Sequence, residues 1–404
     1  MSMKNRVCAL CKSEILVPVI DLGFHPCADT FVLEDRLSDI ERHFPLKVCL
    51  CESCGHTQLA YVVSGQERYQ DTDYSYDSSN SQVSIEHFRE LALDVVQRVG
   101  IKSSDIVCDI GSNIGTLLEA FKRNTQCVVI GVDPSKNLAN LANEAGIFTI
   151  NNFFNQESAR EILRHGRPKV ITATNVFNHS EDVEGFIENV KYLLDPNGYL
   201  VIEVPYLLEM IRQTAFDTIY LEHINYFSVT PLVKFFAKHS FGIEWIEVSD
   251  YMCGTIRIYA RPNIKNAELV SDYMKSEDEF QLFSHVVYEE FMNRVRRLKF
   301  RLNKQLYEIK AAGGKIIGIG AATKGNTLLN YCKIDSDLIE CISDASILKM
   351  GKITPGSHIK IISDEDIPSN ITHGLILPWN IANFLKVKLA YLNLTFIIPN
   401  LEVE

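Results

Sequence analysis

The stretch from Asp105 to Ser135 carries residues that suit a nucleoside ligand. Ile106 to Ile110 is a short, mostly apolar run of the kind that forms a buried parallel strand. Gly111-Ser-Asn113-Ile-Gly115 follows, and glycines there permit a sharp turn and close approach of a ligand to the backbone. A second strand then ends on Asp133, where a carboxylate can accept both hydroxyls of an adenosine ribose. The spacing is Gly-x-x-x-Gly, not the Gly-x-Gly-x-x-Gly that cradles a dinucleotide pyrophosphate. A ligand with ribose and adenine but no phosphate fits better, and S-adenosylmethionine is the common one. Asp109, Gly111, Asn113, Gly115, Asp133 and Asn175 are therefore the candidate donor-binding residues. A dinucleotide or a ligand-free turn is the competing reading.

A second set could move protons. Tyr220-Leu-Glu222-His223-Ile-Asn-Tyr226 follows the apolar strand Tyr199 to Pro205, and segments after such strands line the ligand crevice of open α/β sheets. Tyr, Glu and His in four residues can supply an acid, a base and an orienting carboxylate, and imidazole titrates near neutrality. His179, after the strand Lys169 to Ala173, is expected on the same edge. The plainer alternative is that His223 caps a helix while Tyr220 and Tyr226 fill core. Tyr74-Ser-Tyr76-Asp-Ser78-Ser79 suits a lid or polar ligand contact, or a solvated linker. Gly318-x-Gly320 with Lys324, Gly325 and Asn326 has the makings of an anion cradle at a helix start, of a nicotinamide site, or only of tight strand–helix packing.

The elements that must hold these residues are legible. Cys8-x-x-Cys11 and Cys51-x-x-Cys54 predict a small module, residues 1–72, stapled by a closed structural zinc site. Cys49 and His56 are alternative ligands, and Cys27 a packed thiol. Residues 73–262 are expected to form the donor-binding α/β domain. Residues 263–312 carry Phe283, Val287, Phe291, Val295 and Leu298 at helical spacing and predict a helical connector. Residues 313–404 predict a second α/β unit, with strands at 315–320, 338–342 and 374–377. The net charge of −11 argues against a nucleic-acid substrate. Eleven cysteines, an odd number with two Cys-x-x-Cys pairs, point to metal and free thiols, and so to a cytoplasmic setting. No signal peptide and no membrane span are expected.

Helix, then Leu193-Leu-Asp-Pro-Asn-Gly198, then a strand carrying Glu203, resembles the later half of a class I methyltransferase sheet. The chain as a whole resembles the sugar-nucleotide C-methyltransferases of deoxysugar biosynthesis. The likeness rests on the paired cysteines, Asp21-Leu-Gly23, Tyr74-x-Tyr76-x-Ser-Ser79 and Asp109-Ile-Gly-Ser-Asn-Ile-Gly115. It continues through Asn175-Val-Phe-x-His179, Tyr220-x-Glu-His-x-x-Tyr-Phe-Ser228, Lys324-Gly-Asn-Thr-Leu-Leu-Asn330 and Leu377-Pro-Trp-Asn380. That resemblance implies a zinc module, a Rossmann-like methyltransferase domain and a C-terminal α/β domain holding the nucleotide part of the substrate. It implies S-adenosylmethionine-dependent methylation, at C-3', of a dTDP- or GDP-linked 4-keto hexose. His223 is then the base, Tyr220 and Glu222 assist it, and His179 and Tyr74 contact or polarise the sugar. Tyr76, Ser78, Ser79, Tyr226, Gly320, Lys324 and Asn326 are implied substrate contacts. No protein partner is implied. One departure stands out: Met252-Cys-Gly-Thr-Ile-Arg257 occupies the place where the family often has His-Gly-Gly-Ser-Leu-Arg. The rival classes are a zinc-module methyltransferase acting on RNA, protein or another small molecule, and a nicotinamide-dependent sugar-nucleotide oxidoreductase.

Overall fold

A computed structural model describes residues 3–4, 6–70, 75–79 and 81–399; Tyr74 lies outside the described residues. Strands β1 (Leu16–His25), β2 (Phe44–Cys51) and β3 (Thr57–Leu59) form an antiparallel sheet in the N-terminal module. The sulfurs of Cys8, Cys11, Cys51 and Cys54 all lie within 4.8 Å of one another. Cys8 to Cys54 and Cys11 to Cys51 are each 3.6 Å. Tetrahedral zinc with Zn–S bonds of about 2.3 Å sets sulfurs about 3.8 Å apart, so the cage fits that ion. The clustered ligand atoms are the four cysteine sulfurs without His56, whose Nε2 faces Asn225 Oδ1 at 3.1 Å. Helix α1 (Gly65–Tyr69), capped by the Ser64 hydroxyl, closes the module.

The central domain runs from helix α2 (Gln82–Val99) through β4 (Ile106–Ile110), α3 (Thr116–Thr125), β5 (Val128–Val132), β6 (Thr149–Ile150) and β7 (Val170–Thr174). Helix α4 (Val183–Leu193) leads to β8 (Tyr199–Pro205), every residue of which is buried. After a two-residue strand β9 (Asn225–Tyr226), β10 (Phe241–Ser249) and β11 (Thr255–Pro262) close the sheet in the order β10-β11-β8-β7-β4-β5-β6. β4 to β8 pair in parallel, and β11 inserts antiparallel between β8 and β10. Strand order reverses between β4 and β7, where ligand crevices open in such sheets. β9 leaves this sheet and pairs with β3 of the zinc module, Asn225 opposite Gln58 and Tyr226 opposite Thr57.

The connector is two helices, α5 (Leu269–Glu279) and α6 (His285–Ala311); α6 buries Phe291, Val295 and Leu298 on one stripe. The C-terminal unit has β12 (Ile316–Ile319), helix α7 (Thr323–Cys332), β13 (Ile342–Ser343), β14 (Ile361–Ile362), β15 (His373–Ile376) and β16 (Thr395–Ile397). Its order is β14-β13-β12-β15-β16, all parallel. The strand expected over 338–342 is reduced to its end, because Leu338 and Ile339 donate to the Asp335 carbonyl and form a turn. Among the described residues, no helix is long and apolar enough to cross a membrane.

The zinc cage joins the segment before β1, through Cys8 and Cys11, to the end of β2 and the loop before β3, which in turn pairs with β9. Cys51→Ala should therefore leave the protein without stoichiometric zinc and lower its melting temperature. Metal analysis and thermal unfolding check this; full zinc content in the variant would contradict it.

Candidate active site

A cavity of about 1000 Å³ lies between the central and C-terminal sheets. Asp109, Gly111, Asn113, Asp133 and Asn175 line one end. Gly111 has φ +68°, and a Cβ there would sit 2.3 Å from Val176; Gly115 has φ +86°, with Ile147 at 2.9 Å. The turn thus requires glycine for conformation and packing together. Asp133 Oδ2 accepts from the Asn113 N–H and Oδ1 from the Ser135 N–H, both at 2.8 Å. Each oxygen keeps acceptor capacity for a hydroxyl. Burial raises the Asp133 carboxyl to about 6. Asp109, whose Oδ1 accepts from the Thr172 hydroxyl at 2.6 Å, is raised by burial to about 7. Asn175 Oδ1 is buried with no partner among the described residues.

These groups fit S-adenosylmethionine. Asp133 suits the ribose diol, while the buried Asp109 carboxyl and the unpartnered Asn175 carbonyl suit its cationic and N–H donor groups. Segment 75–79 folds against the same turn: Asn113 Nδ2 donates to the Tyr76 carbonyl at 2.9 Å, and its Oδ1 accepts from the Ser78 N–H at 3.1 Å. Tyr76 and Ser78 line the cavity. Ser79 does not; its N–H and hydroxyl donate to Asp77.

Tyr220, His223 and His179 line the middle of the cavity. His223 Nδ1 faces the Thr218 carbonyl at 2.9 Å. A carbonyl only accepts, so Nδ1 carries the proton and Nε2 is bare. The Tyr220 hydroxyl donates to that Nε2 at 2.5 Å. Burial lowers His223 to about 3, so the ring rests neutral. Burial also pushes the Tyr220 phenol well up. The His179 ring meets His223 edge to face at 4.7 Å, and its Nδ1 lies 2.5 Å from the Tyr69 hydroxyl. Glu222 does not point into the cavity. Its Oε1 accepts from the Asp29 N–H at 3.0 Å, and burial raises the carboxyl to about 7. Tyr226 also lies behind the lining, in the strand paired to the zinc module.

The Lys-Gly-Asn-Thr turn has a task the sequence did not reveal. Gly320 and Lys324 line the cavity, but Lys324 Nζ lies 3.3 Å from Asp217 Oδ2, 3.2 Å from Cys253 Sγ and 4.1 Å from the Trp379 ring centre. Asn326 Nδ2 donates to the Ala28 carbonyl at 2.6 Å, away from the cavity. Thr327 Oγ1 donates to the Ile219 carbonyl at 3.1 Å. These side chains clamp the Asp217–His223 segment and the module behind it. Lys324 thus lines the cavity and is paired with a buried carboxylate at the same time. Sequence reasoning also missed Arg68, Tyr69 and Asp217, and it gave Trp379 no role beyond its place in the Leu377–Asn380 motif. An Arg-Tyr pair ending a five-residue helix carries no motif, and Asp217 becomes meaningful only once Lys324 is seen beside it.

Residues 85–244 match the family described as a methyltransferase domain, residues 250–399 a C-methyltransferase C-terminal domain, and residues 8–69 a zinc binding domain. The fold, donor pocket and cysteine cage thus define an S-adenosylmethionine-dependent methyltransferase with a structural zinc module. The chain is 33% identical over 380 residues to the C-methyltransferase NovU of Streptomyces niveus, spanning 93% of this chain and 90% of that protein. It belongs to that C-methyltransferase family. Among solved structures, the magnesium protoporphyrin IX methyltransferase of Synechocystis PCC 6803 is 14% identical, covering 45% of this chain and 81% of that one with a TM-score of 0.34. YcgJ of a Bacillus is also 14% identical, over 44% of this chain and 99% of that one, with a TM-score of 0.34.

Asp133→Ala should weaken S-adenosylmethionine binding by roughly 1–3 kcal/mol, the scale of hydrogen bonds to a charged group. Only ionised Asp133 accepts from both hydroxyls. Protonation therefore competes below its raised value of about 6, and donor affinity should rise between about pH 5 and 8. Calorimetry across that range checks both; a flat profile with unchanged affinity in the variant would contradict the assignment.

Proposed function

We propose that this enzyme C-methylates a nucleotide-diphosphate-linked 4-keto deoxyhexose at C-3', using S-adenosylmethionine, in a cytoplasmic pathway to branched sugars. The observation that carries this reading is a neutral histidine with a bare nitrogen, His223, joined to Tyr220 in a cavity that also reaches the donor pocket. A ketone acidifies the hydrogen on its neighbouring carbon, and C-methylation needs that hydrogen removed. The family relationship to NovU supports the C-methyl outcome. The second sheet at the far end of the cavity supports a substrate with a bulky nucleotide. The net charge of −11 disfavours nucleic acid.

The chain's own residues can carry the step. The Tyr220 oxygen takes the carbon-bound hydrogen as a proton while its hydroxyl proton passes to His223 Nε2. Tyr220 stays neutral, His223 becomes imidazolium, and the bonding pair of the broken C–H bond becomes the enolate. Burial, which lowers the resting affinity of His223 for a proton, also strengthens its attraction to the enolate formed beside it. A ring N–H of His179 is available to stabilise the enolate oxygen. S-adenosylmethionine supplies an electrophilic methyl group for the enolate carbon. Met252 lines the cavity, with its sulfur 3.8 Å from Asn175 Nδ2. It puts a thioether where relatives often have imidazole, so the sugar accepted can differ from theirs.

His223→Ala should lose at least about 100-fold in turnover while still binding donor and nucleotide sugar. Tyr220→Phe should lose a comparable amount. Mass detection of a methyl gain across a panel of dTDP- and GDP-linked 4-keto sugars identifies the substrate. Methylation of none of them, or near-normal turnover by the alanine variant, would overturn the reading.

A further inference from the structure

The C-terminal sheet repeats the core of the donor-binding sheet strand for strand. Its order β14-β13-β12-β15-β16 matches β6-β5-β4-β7-β8 of the central domain, and both sets pair in parallel throughout. The match extends to single hydrogen bonds. Gly111, at φ +68°, donates its N–H to the Val132 carbonyl at 2.7 Å; Gly320, at φ +79°, donates to the Ser343 carbonyl at 2.8 Å. Asp133 and Asp344 come directly after those two acceptors in the chain. Their own N–H groups donate to the Ile150 and Ile362 carbonyls, each at 3.0 Å.

The two carboxylates are held alike. Asp344 Oδ2 accepts from the Ala321 N–H of its turn at 2.6 Å, and Oδ1 from the Ser346 N–H at 2.7 Å. Asp133 takes the same two bonds, one from its glycine turn and one from the residue two places further on. Each Asp344 oxygen keeps acceptor capacity, and Asp344 lines the cavity. The surroundings differ. Gly318 stands two places before its turn glycine, where Asp109 stands in the donor site, so the carboxyl that suits a cationic group is missing. Lys324 and Lys349 line the cavity on this side instead, and Lys349 Nζ donates to the Ala321 carbonyl at 2.8 Å. A diol acceptor accompanied by lysines suits a nucleotide rather than a second S-adenosylmethionine.

We propose that Asp344 accepts both hydroxyls of a ribose, so that the hexose is carried on a ribonucleoside diphosphate, such as GDP or UDP, in preference to a 2'-deoxyribonucleoside diphosphate such as dTDP. This rests on the nucleotide-sugar reading and narrows it. A carboxylate has an oxygen for each hydroxyl of a vicinal diol. A 2'-deoxyribose brings only one of the two donors, and a site built around a substrate hydroxyl discriminates against the analogue that lacks it.

Calorimetry on the full chain tests this with pairs that differ only at the 2' position: GDP with 2'-deoxy-GDP, and UDP with 2'-deoxy-UDP, with dTDP alongside. The protein is first saturated with S-adenosylhomocysteine, so that the donor site is filled. The expected result is that a ribonucleotide binds about 10- to 100-fold more tightly than its deoxy partner, the scale of one hydrogen bond to a charged group. Asp344→Asn, which removes the charge and one acceptor, should bring that ratio toward unity. Asp344 also holds its own turn, so the ratio in the native protein decides the matter even if the variant is unstable. Equal binding within each pair would overturn the proposal, as would binding of dTDP alone or a ratio undiminished in Asp344→Asn. Each of those results leaves the nucleotide-sugar reading standing. If no nucleoside diphosphate binds, that reading and the proposal fall together.

Discussion

The Asp217–Tyr226 segment belongs to the central domain but is held by its two neighbours. On one side, Asn225 and Tyr226 pair as a strand with Gln58 and Thr57 of the zinc module, and the Glu222 carboxylate accepts from the Asp29 N–H. On the other, Lys324 pairs with Asp217, Trp379 Nε1 donates to the same carboxylate at 2.7 Å, and Thr327 donates to the Ile219 carbonyl. A segment that must present two buried polar side chains to a cavity cannot be left to fluctuate. Each buried polar group needs a fixed partner, and an unmade one costs about 1–3 kcal/mol. The zinc cage matters to the chemistry through this pairing, not through any open coordination position.

Desolvation sets the electrostatics of the whole cavity. It raises Asp133 and Asp109 in the lining and Glu222 behind it, and it lowers His223 and His179, so both histidines rest neutral. Such a site favours a reaction whose charges arise in pairs, as when a carbon acid hands its proton to a neighbouring base. It also favours a donor whose positive charge meets carboxylates ready to ionise. The buried Asp217–Lys324 pair serves a different end, because its charges are already matched and it orients backbone rather than substrate.

Much of this was legible in the sequence. The Asp109–Gly115 turn, Asp133 and the two Cys-x-x-Cys pairs are local signals, because a turn, a strand end or a metal knuckle is specified by neighbours along the chain. Tyr220, His223 and His179 were legible because strand ends in an open α/β sheet converge on one edge. What was not legible depends on contacts between distant segments. Glu222 reads as a partner for His223 but turns to Asp29, a residue 193 positions away. Asn326 reads as part of an anion cradle but turns to Ala28, and the pairing of Lys324 with Asp217 is invisible in the sequence, because both partners come from other domains. Tyr69 carries no pattern until α1 is folded against His179.

On the proposed mechanism, the Tyr220–His223 pair removes a hydrogen from the carbon next to a sugar ketone. Deuterium exchange in heavy water, with the 4-keto sugar nucleotide and without S-adenosylmethionine, tests it most directly. The expected result is enzyme-dependent uptake of one deuterium at C-3', abolished in His223→Ala and kept in Asp133→Ala, which affects only the donor pocket. Undiminished exchange in His223→Ala, or uptake at another carbon, would contradict the account.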